Sequence, residues 1–331
     1  MFKKIAALTL SGIIMAGMTT AFAEASEPVH SASVVMEYDA AATAWSGKTT
    51  LKAGKSYVVT KDVTINKEVT VPKGTSLTIK NGAKLTVGFK GSLKINGTVT
   101  VGKGSTLAVS GALTQAKGKK LVVSGTVKLG KKSTVDINGS VTVKKGGVIS
   151  GEPKQAVVGD SAKFTVSGKL TSQKLLNAYD TAQITEFVNR LYEKTFVEGK
   201  VSEMFKECYP EAVYKAAVAE YEETLAGSGY EMEYSFDEYM DALGEFLIAV
   251  YAEAFNGQPI TGVKVTDLVI NPISLEYLPE SEYASCYGKI ERAAEVNGVA
   301  VICAGEQTSE EITMDGTMVY CGGRWYLYMD T

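Results

Sequence analysis

The chain has 331 residues, with 34 Lys and Arg against 37 Asp and Glu and a single histidine. That histidine, His30, lies near the N-terminus, so a Ser-His-Asp triad, a Cys-His pair and a histidine-containing zinc site are excluded from the domains predicted below. The small net charge of −3 conceals two halves of opposite sign.

In chain order, Lys3 and Lys4 precede an apolar run from Ile5 to Met18, and Ala21-Phe22-Ala23 supplies the small-x-small pattern cut by signal peptidase. Residues 1–23 therefore read as a signal peptide, with Glu24 the first mature residue and 24–47 a linker. The apolar run is short for a bilayer span, which sets the alternative of a transmembrane anchor aside. The expected product is secreted, extracellular or cell-wall associated, with no membrane span after cleavage.

Residues 48–170 hold 22 Lys, no Arg and five acids (Asp62, Glu68, Asp136, Glu152, Asp160), a net of +17. Written in rows of 14 from Leu85, they align LTVGFKGSLKINGT, VTVGKGSTLAVSGA, LTQAKGKKLVVSGT and VKLGKKSTVDINGS. Leu85, Val99, Leu113, Val127 and Val141 form one apolar column, Leu93, Leu107, Leu121, Val135 and Ile149 another, and Gly97, Gly111, Gly125 and Gly139 a column of turn residues. Gly97, Gly102 and Lys103 match part of a phosphate-loop signature, but Gly104 stands where a Ser or Thr hydroxyl is needed, and the match falls where two rows meet. Each row contains two short alternating stretches, the mark of strands. If rows stack as parallel strands, the inward columns become one narrow core. This predicts a β-solenoid with 14-residue rungs, in which residues fourteen apart lie directly over one another. An antiparallel meander of hairpins is the alternative.

The rows resemble the low-complexity β-helical segments of bacterial surface proteins, a likeness that covers about a third of the chain and concerns architecture rather than function. Pectate-lyase-type β-helices gather carboxylates and a catalytic Arg or Lys; here Arg is absent and the acids are scattered. Two outward columns are candidate surfaces. Lys73, Lys103, Lys117, Lys131 and Lys145 recur at one row position, and stacking would align them along an edge suited to polyanions. Anionic cell-wall polymer or polysaccharide is the expected partner, with nucleic acid ranked below it. The plain reading is that these lysines keep a repetitive edge soluble. Thr86, Thr100, Thr114, Lys128 and Thr142 form the second column, which resembles the face of β-helical ice-binding proteins but is interrupted by Lys128.

Residues 171–331 carry ten basic and 28 acidic residues, a net of −18, and 15 of the 17 tyrosines. Ile184, Phe187, Val188, Leu191 and Tyr192 predict a helix starting at Asp180 or Thr181. A second helix follows Pro210 and stops at Gly227, and a third follows a Ser235/Glu238 capping box and ends at Asn256-Gly257. Strands are predicted at 263–270, 299–303, 311–314 and 318–321, with one more helical segment over 283–294. Gly322-Gly323 reads as a hairpin turn into Arg324-Trp325-Tyr326-Leu327-Tyr328. The predicted class is an α+β domain, helices first and a curved antiparallel sheet last. This order, ending in GGRWYL, resembles the nuclear transport factor two-like cone fold.

That resemblance implies a pocket between sheet and helix, with Trp325, Tyr326 and Tyr328 as the candidate lining for a small ligand or protein partner. Some such folds use an Asp and a His as acid and base; without a His here no catalytic residue is assigned. Neither cofactor nor metal is expected, because Cys208, Cys286, Cys303 and Cys321 lack paired metal-ligand spacing. Two disulfides are permitted in an exported protein, Cys303 with Cys321 being a candidate pair in neighbouring strands, and free buried thiols are the alternative. The function expected is that of a non-enzymatic surface protein: a basic stalk that associates with wall polymer and presents an acidic binding domain. The alternatives are a secreted enzyme with a histidine-free pocket and ice binding by the threonine face.

Overall fold

The computed structural model describes residues 42–48, 50–159, 161–228, 234–309 and 311–330. The predicted signal peptide, His30 and Asp160 lie outside them. Two compact units are present, one ending at Ala182 and the other taking up the chain from Gln183.

The first unit is a β-solenoid of parallel strands. The first of its three sheets has seven strands and runs from Thr43–Ala44 through Ser56–Val59, Ser76–Ile79, Thr98–Val101, Lys120–Val123 and Ser140–Val143 to Lys163–Val166. Six strands, Val63–Ile65 to Lys169–Leu170, make the second sheet, and five, Glu68–Val71 to Gln155–Val158, the third. Parallel stacking is as expected; the rung is not. Thr98 pairs with Lys120, and Lys120 with Ser140, so coils are 22 and 20 residues long rather than 14, and each has three sides.

The turns explain why the sequence shows a period of 14. Thr98–Val101 is followed by a four-residue turn (102–105), and Thr106–Val109 by a two-residue turn (110–111). Two four-residue strands with one long and one short turn make a row of fourteen, two sides of a three-sided coil. Three rows therefore make two coils. Residues fourteen apart lie on different sheets: Leu85 stacks on Leu107 and Val127, not on Val99.

The two turn types need glycine for different reasons. In the long turns the residue is in the left-handed region with open space around it, as at Gly104 with φ +76°. In the short turns the limit is close approach: a Cβ on Gly125 would lie 2.2 Å from the Gly102 carbonyl oxygen and 2.3 Å from that of Ser105. Each short turn nests on the long turn one coil below. This is the physical content of the glycine column.

Inward positions of the middle coils are buried, for example Leu77, Ile79, Val99, Val101, Leu121 and Val123, forming one continuous core, while in the last coil Phe164 is half-buried and Val166 exposed. Gln115 breaks the column between Ile95 and Ile137; its Nε2 donates to the carbonyls of Lys119 (2.7 Å) and Ser140 (2.9 Å), while its buried Oε1 has no partner among the described residues. Trp45 and Leu51 are buried at one end. At the other the helix α1 (Gln173–Glu193) supplies Leu175 and Ala182 to the core, and Tyr179 packs 4.4 Å from Phe164. The solenoid unit thus extends past Leu170, the expected boundary. Helix α1 also begins earlier than Asp180, because the Glu152 carboxylate accepts the backbone N–H groups of Gln173 (2.7 Å) and Lys174 (3.0 Å). That cap is 21 residues away in sequence and invisible to local pattern.

In the second unit the rest of α1 runs into a π-helical turn, Lys194–Glu198, and then α2 (Val201–Cys208), α3 (Glu211–Ser228) and α4 (Phe236–Ala254). The capping box holds, with Ser235 Oγ accepting from Glu238 N and the Glu238 carboxylate from Ser235 N. Asp241 of α4 caps α2 from outside, accepting Ser202 N–H at 2.8 Å and Ser202 O–H at 2.9 Å.

A curved antiparallel sheet follows in the order Gly262–Ile273, Ile290–Ala304, Ile312–Cys321, Arg324–Leu327. The helix expected over 283–294 is absent from these described residues: Ala284–Tyr287 is a single 3-10 turn, and Ile290 opens a 15-residue strand. Pairing on both sides decided that segment against its weak helical spacing. Likewise 311–314 and 318–321 belong to one strand. Gly322 and Gly323, at φ +58° and +92°, form the expected hairpin turn. The core joins Ile184, Leu191, Tyr192, Val213 and Met240 from the helices to Ala300, Ile302, Met318 and Val319 from the sheet.

Candidate polyanion-binding surface

The long turns project the lysines. A turn such as 102–105 lifts its second residue clear of the coil, so Lys73, Lys103, Lys117, Lys131 and Lys145 are all exposed. They do not form one edge. Lys73 and Lys117 lie between the third and first sheets, Lys103 and Lys145 between the first and second, and Lys131 between the second and third. The cause is arithmetic: a two-sided repeat wound on a three-sided coil advances by two edges at each row and so falls one edge short of a full turn. The same rotation divides the threonine column. Thr100 and Thr142 lie on the first sheet, Thr86 and Lys128 on the second, and Thr114 on the third.

The four described carboxylates of residues 48–170 are engaged within the fold. Glu68 pairs with Lys94 at 2.8 Å, Asp62 accepts the Lys84 N–H at 2.9 Å, Asp136 accepts from Asn138 Nδ2 at 2.6 Å, and Glu152 caps α1. The surface therefore carries a large excess of ammonium groups on a rigid backbone, all from lysine. Such groups act as point charges without the planar fork of Arg.

In the second unit the aromatic candidates do not converge. Trp325 and Tyr326 are adjacent in a strand and point to opposite faces. Trp325 is buried, packed edge-on to Tyr320 at 5.5 Å. Tyr326 is half-buried beneath the Arg324 guanidinium, 4.4 Å away. Tyr328 is buried, donating its hydroxyl to the Pro279 carbonyl at 3.2 Å. Of the three, only Tyr328 borders the open depression of about 610 Å³ lined by Leu278, Pro279, Glu280, Ser281, Glu282 and Ala284.

None of the four cysteines is joined in a disulfide among the described residues. Cys321 lies opposite Ile290 at the start of its neighbouring strand, while Cys303 is near the end of that 15-residue strand, so the expected Cys303–Cys321 pair is set apart by most of the strand's length.

Ion pairing in this unit is local. Lys194 is 12% exposed and bonds Glu203 at 2.9 Å and Glu207 at 3.3 Å; burial pulls its ammonium pKa down, and the two carboxylates outweigh that and hold it above the usual value. Asp237 accepts from Lys206 and from the Tyr214 hydroxyl. Burial raises its pKa, but these bonds together hold the carboxyl below its ordinary range. Burial, followed by the bond to Glu220, pushes the Tyr283 phenol upward.

Among the described residues no cluster of His, Cys, Asp and Glu is placed to hold a metal ion, and no helix is long and apolar enough to cross a membrane. Comparison with family models, with curated proteins and with solved structures gives no match in any of the three.

Proposed function

We propose that the protein is an exported surface protein whose lysine-rich solenoid associates with anionic cell-wall polymer and presents the acidic α+β unit to a small ligand or protein partner. One observation carries the reading: 22 lysines stand against five acids in 48–170, and the four described acids are bonded within the fold. The charge left over is a property of a rigid surface rather than of a disordered tail. Such a surface attracts polyanions by long-range field.

The test is sedimentation of the full-length chain with purified cell walls over a salt series. Binding at low salt and release as the screening length shrinks below about 8 Å is the expected result. Absent binding, or binding indifferent to salt, overturns the proposal.

A further inference from the structure

Asn-Gly occurs five times in the chain, beginning at Asn81, Asn96, Asn138, Asn256 and Asn297. A glycine after asparagine carries no side chain to shield its backbone nitrogen from the neighbouring carboxamide. Attack of that nitrogen on the carboxamide carbon requires a glycine N–H that is not engaged elsewhere, space for a five-membered ring, and backbone that can turn.

Four of the five sites fail these requirements. Asn96-Gly97 and Asn138-Gly139 lie in short turns, where a Cβ on Gly97 would sit 2.3 Å from the Thr75 carbonyl oxygen and one on Gly139 2.4 Å from that of Lys119. Hydrogen bonds clamp the backbone on either side of each glycine. Asn96 N–H donates to Val71 and Thr98 N–H to Thr75, both at 2.9 Å, while Asn138 N–H donates to Gln115 at 3.0 Å and Ser140 N–H to Lys119 at 2.7 Å. The Asn138 carboxamide is itself held, donating to Asp136 at 2.6 Å. After α4, Gly257 N–H donates to the Ala252 carbonyl at 2.8 Å. Asn297 lies inside a strand with partners on both sides, Val269 and Asp315.

Asn81-Gly82 meets all three. The pair forms the exposed tip of the long turn 80–83, which Ala83 N–H closes by donating to the Lys80 carbonyl at 3.2 Å. Among the described residues neither Gly82 N–H nor the Asn81 side chain has a hydrogen-bond partner, and a Cβ on Gly82 would meet nothing within 4 Å. Asn81 is left-handed at φ +60°, a conformation that asparagine and aspartate both tolerate, so the turn survives the change. Lys80 and Lys84 flank the pair, and Lys61 and Lys103 belong to the turns of the coils below and above. The one carboxylate among them, Asp62, accepts the Lys84 N–H. This excess of ammonium groups favours the anionic nitrogen that attacks.

We propose that Asn81 is a site of self-modification. Gly82 N gives its proton to hydroxide and bonds to Asn81 Cγ, the Cγ–Nδ2 bond breaks, and ammonia leaves a cyclic imide behind. Water then opens the ring: cleavage between the nitrogen and Cγ gives aspartate, and cleavage between the nitrogen and the backbone carbonyl carbon gives isoaspartate. The balance is asparagine and water to acid and ammonia, with no oxidant and no enzyme. A carboxylate therefore accumulates among these lysines as the molecule ages, whatever the lysines bind.

The test holds the full chain at mildly alkaline pH, folded in one arm and unfolded in guanidinium in the other, and follows proteolytic peptides by mass spectrometry. Unfolded, the five sites share one chemistry and should convert within about threefold of one another. Folded, Asn81 should convert at least about tenfold faster than each of the other four, whose reaction waits on local opening. Its product should separate into two isomeric peptides. Asn81→Gln, which cannot close the five-membered ring, should lack the acidic species that isoelectric focusing reveals in the aged folded chain. Equal folded rates at the five sites, faster conversion at any of the other four, or no conversion at Asn81 overturns the assignment. Aspartate as the sole product overturns the imide step.

Discussion

Gly125 and Gly104 look alike in the sequence, each a turn glycine of the repeat, yet their substitutions by Ala should differ sharply. At Gly104 the added methyl meets open space and only the left-handed backbone is penalised, at about 1–2 kcal/mol. At Gly125 the methyl carbon would sit 2.2 and 2.3 Å from two carbonyl oxygens, where an ordinary C···O approach is about 3.3 Å. Relief requires the coils to part by about 1 Å at that corner, near the limit of van der Waals tolerance in a packed interior. The hydrogen bonds there, Gly125 N to Val101 O at 3.0 Å and Thr126 N to Ser105 O at 2.9 Å, would be stretched past bonding range. Losing two buried backbone bonds costs about 2–5 kcal/mol. The chain has two tryptophans, Trp45 in the solenoid and Trp325 in the second unit, so a Trp325→Phe background makes fluorescence a reporter of the solenoid alone. Guanidinium unfolding should place Gly125→Ala about 2 kcal/mol below Gly104→Ala, the difference between the middles of those two ranges. Equal stability, or the reverse order, would refute the nesting of short turns on long ones.

Thiol titration of the unfolded chain, prepared without reductant, should give four reactive groups, with Cys286 reacting first in the native state because the other three are buried; a count of two would show a disulfide. Asp241→Ala removes the external cap of α2 and should cost about 1–2 kcal/mol, read through Trp325 in a Trp45→Phe background. Asp237 has a folded pKa below its ordinary 3.8, so its contribution to stability is complete above that value and disappears as pH falls through the lower folded value. Asp237→Asn should flatten that acid limb of the stability curve, and an unchanged limb in pH-dependent denaturation would refute the assignment. Its partner Lys206 is held above its ordinary 10.5, chiefly by the bond to Asp237, so the same pair stabilises below that value and fails as pH climbs through the raised one.

What the sequence made legible was whatever is set within a few residues. The strands of the solenoid, the Ser235/Glu238 cap and the Gly322-Gly323 hairpin all follow from local alternation, side-chain capping and turn chemistry. The start of α1 was hidden because its cap, Glu152, comes from a turn of the solenoid. The strand at Ile290 was hidden because Tyr283, Cys286 and Tyr287 mark only one turn of helix, and partners on both sides then claimed the residues beyond it. Cys303 and Cys321 were placed together by the proximity of their strands, when register determines where along those strands each falls. The pocket aromatics were grouped by adjacency, although neighbours in a strand face opposite ways.

The lysine surface shows how a period can be right and its meaning wrong. A strict 14-residue repeat on a three-sided coil sends each column to every edge in turn, so perfect repetition would spread charge evenly and favour no side. Lysines outside the repeating column keep that evenness: six exposed lysines stand at the edge between the first and second sheets (Lys61, Lys84, Lys103, Lys144, Lys145, Lys169) and six at the edge between the third and first (Lys52, Lys55, Lys73, Lys117, Lys120, Lys163). Lysine position by itself therefore gives a polyanion no edge to prefer, and what the repeat distributes is charge around the whole coil.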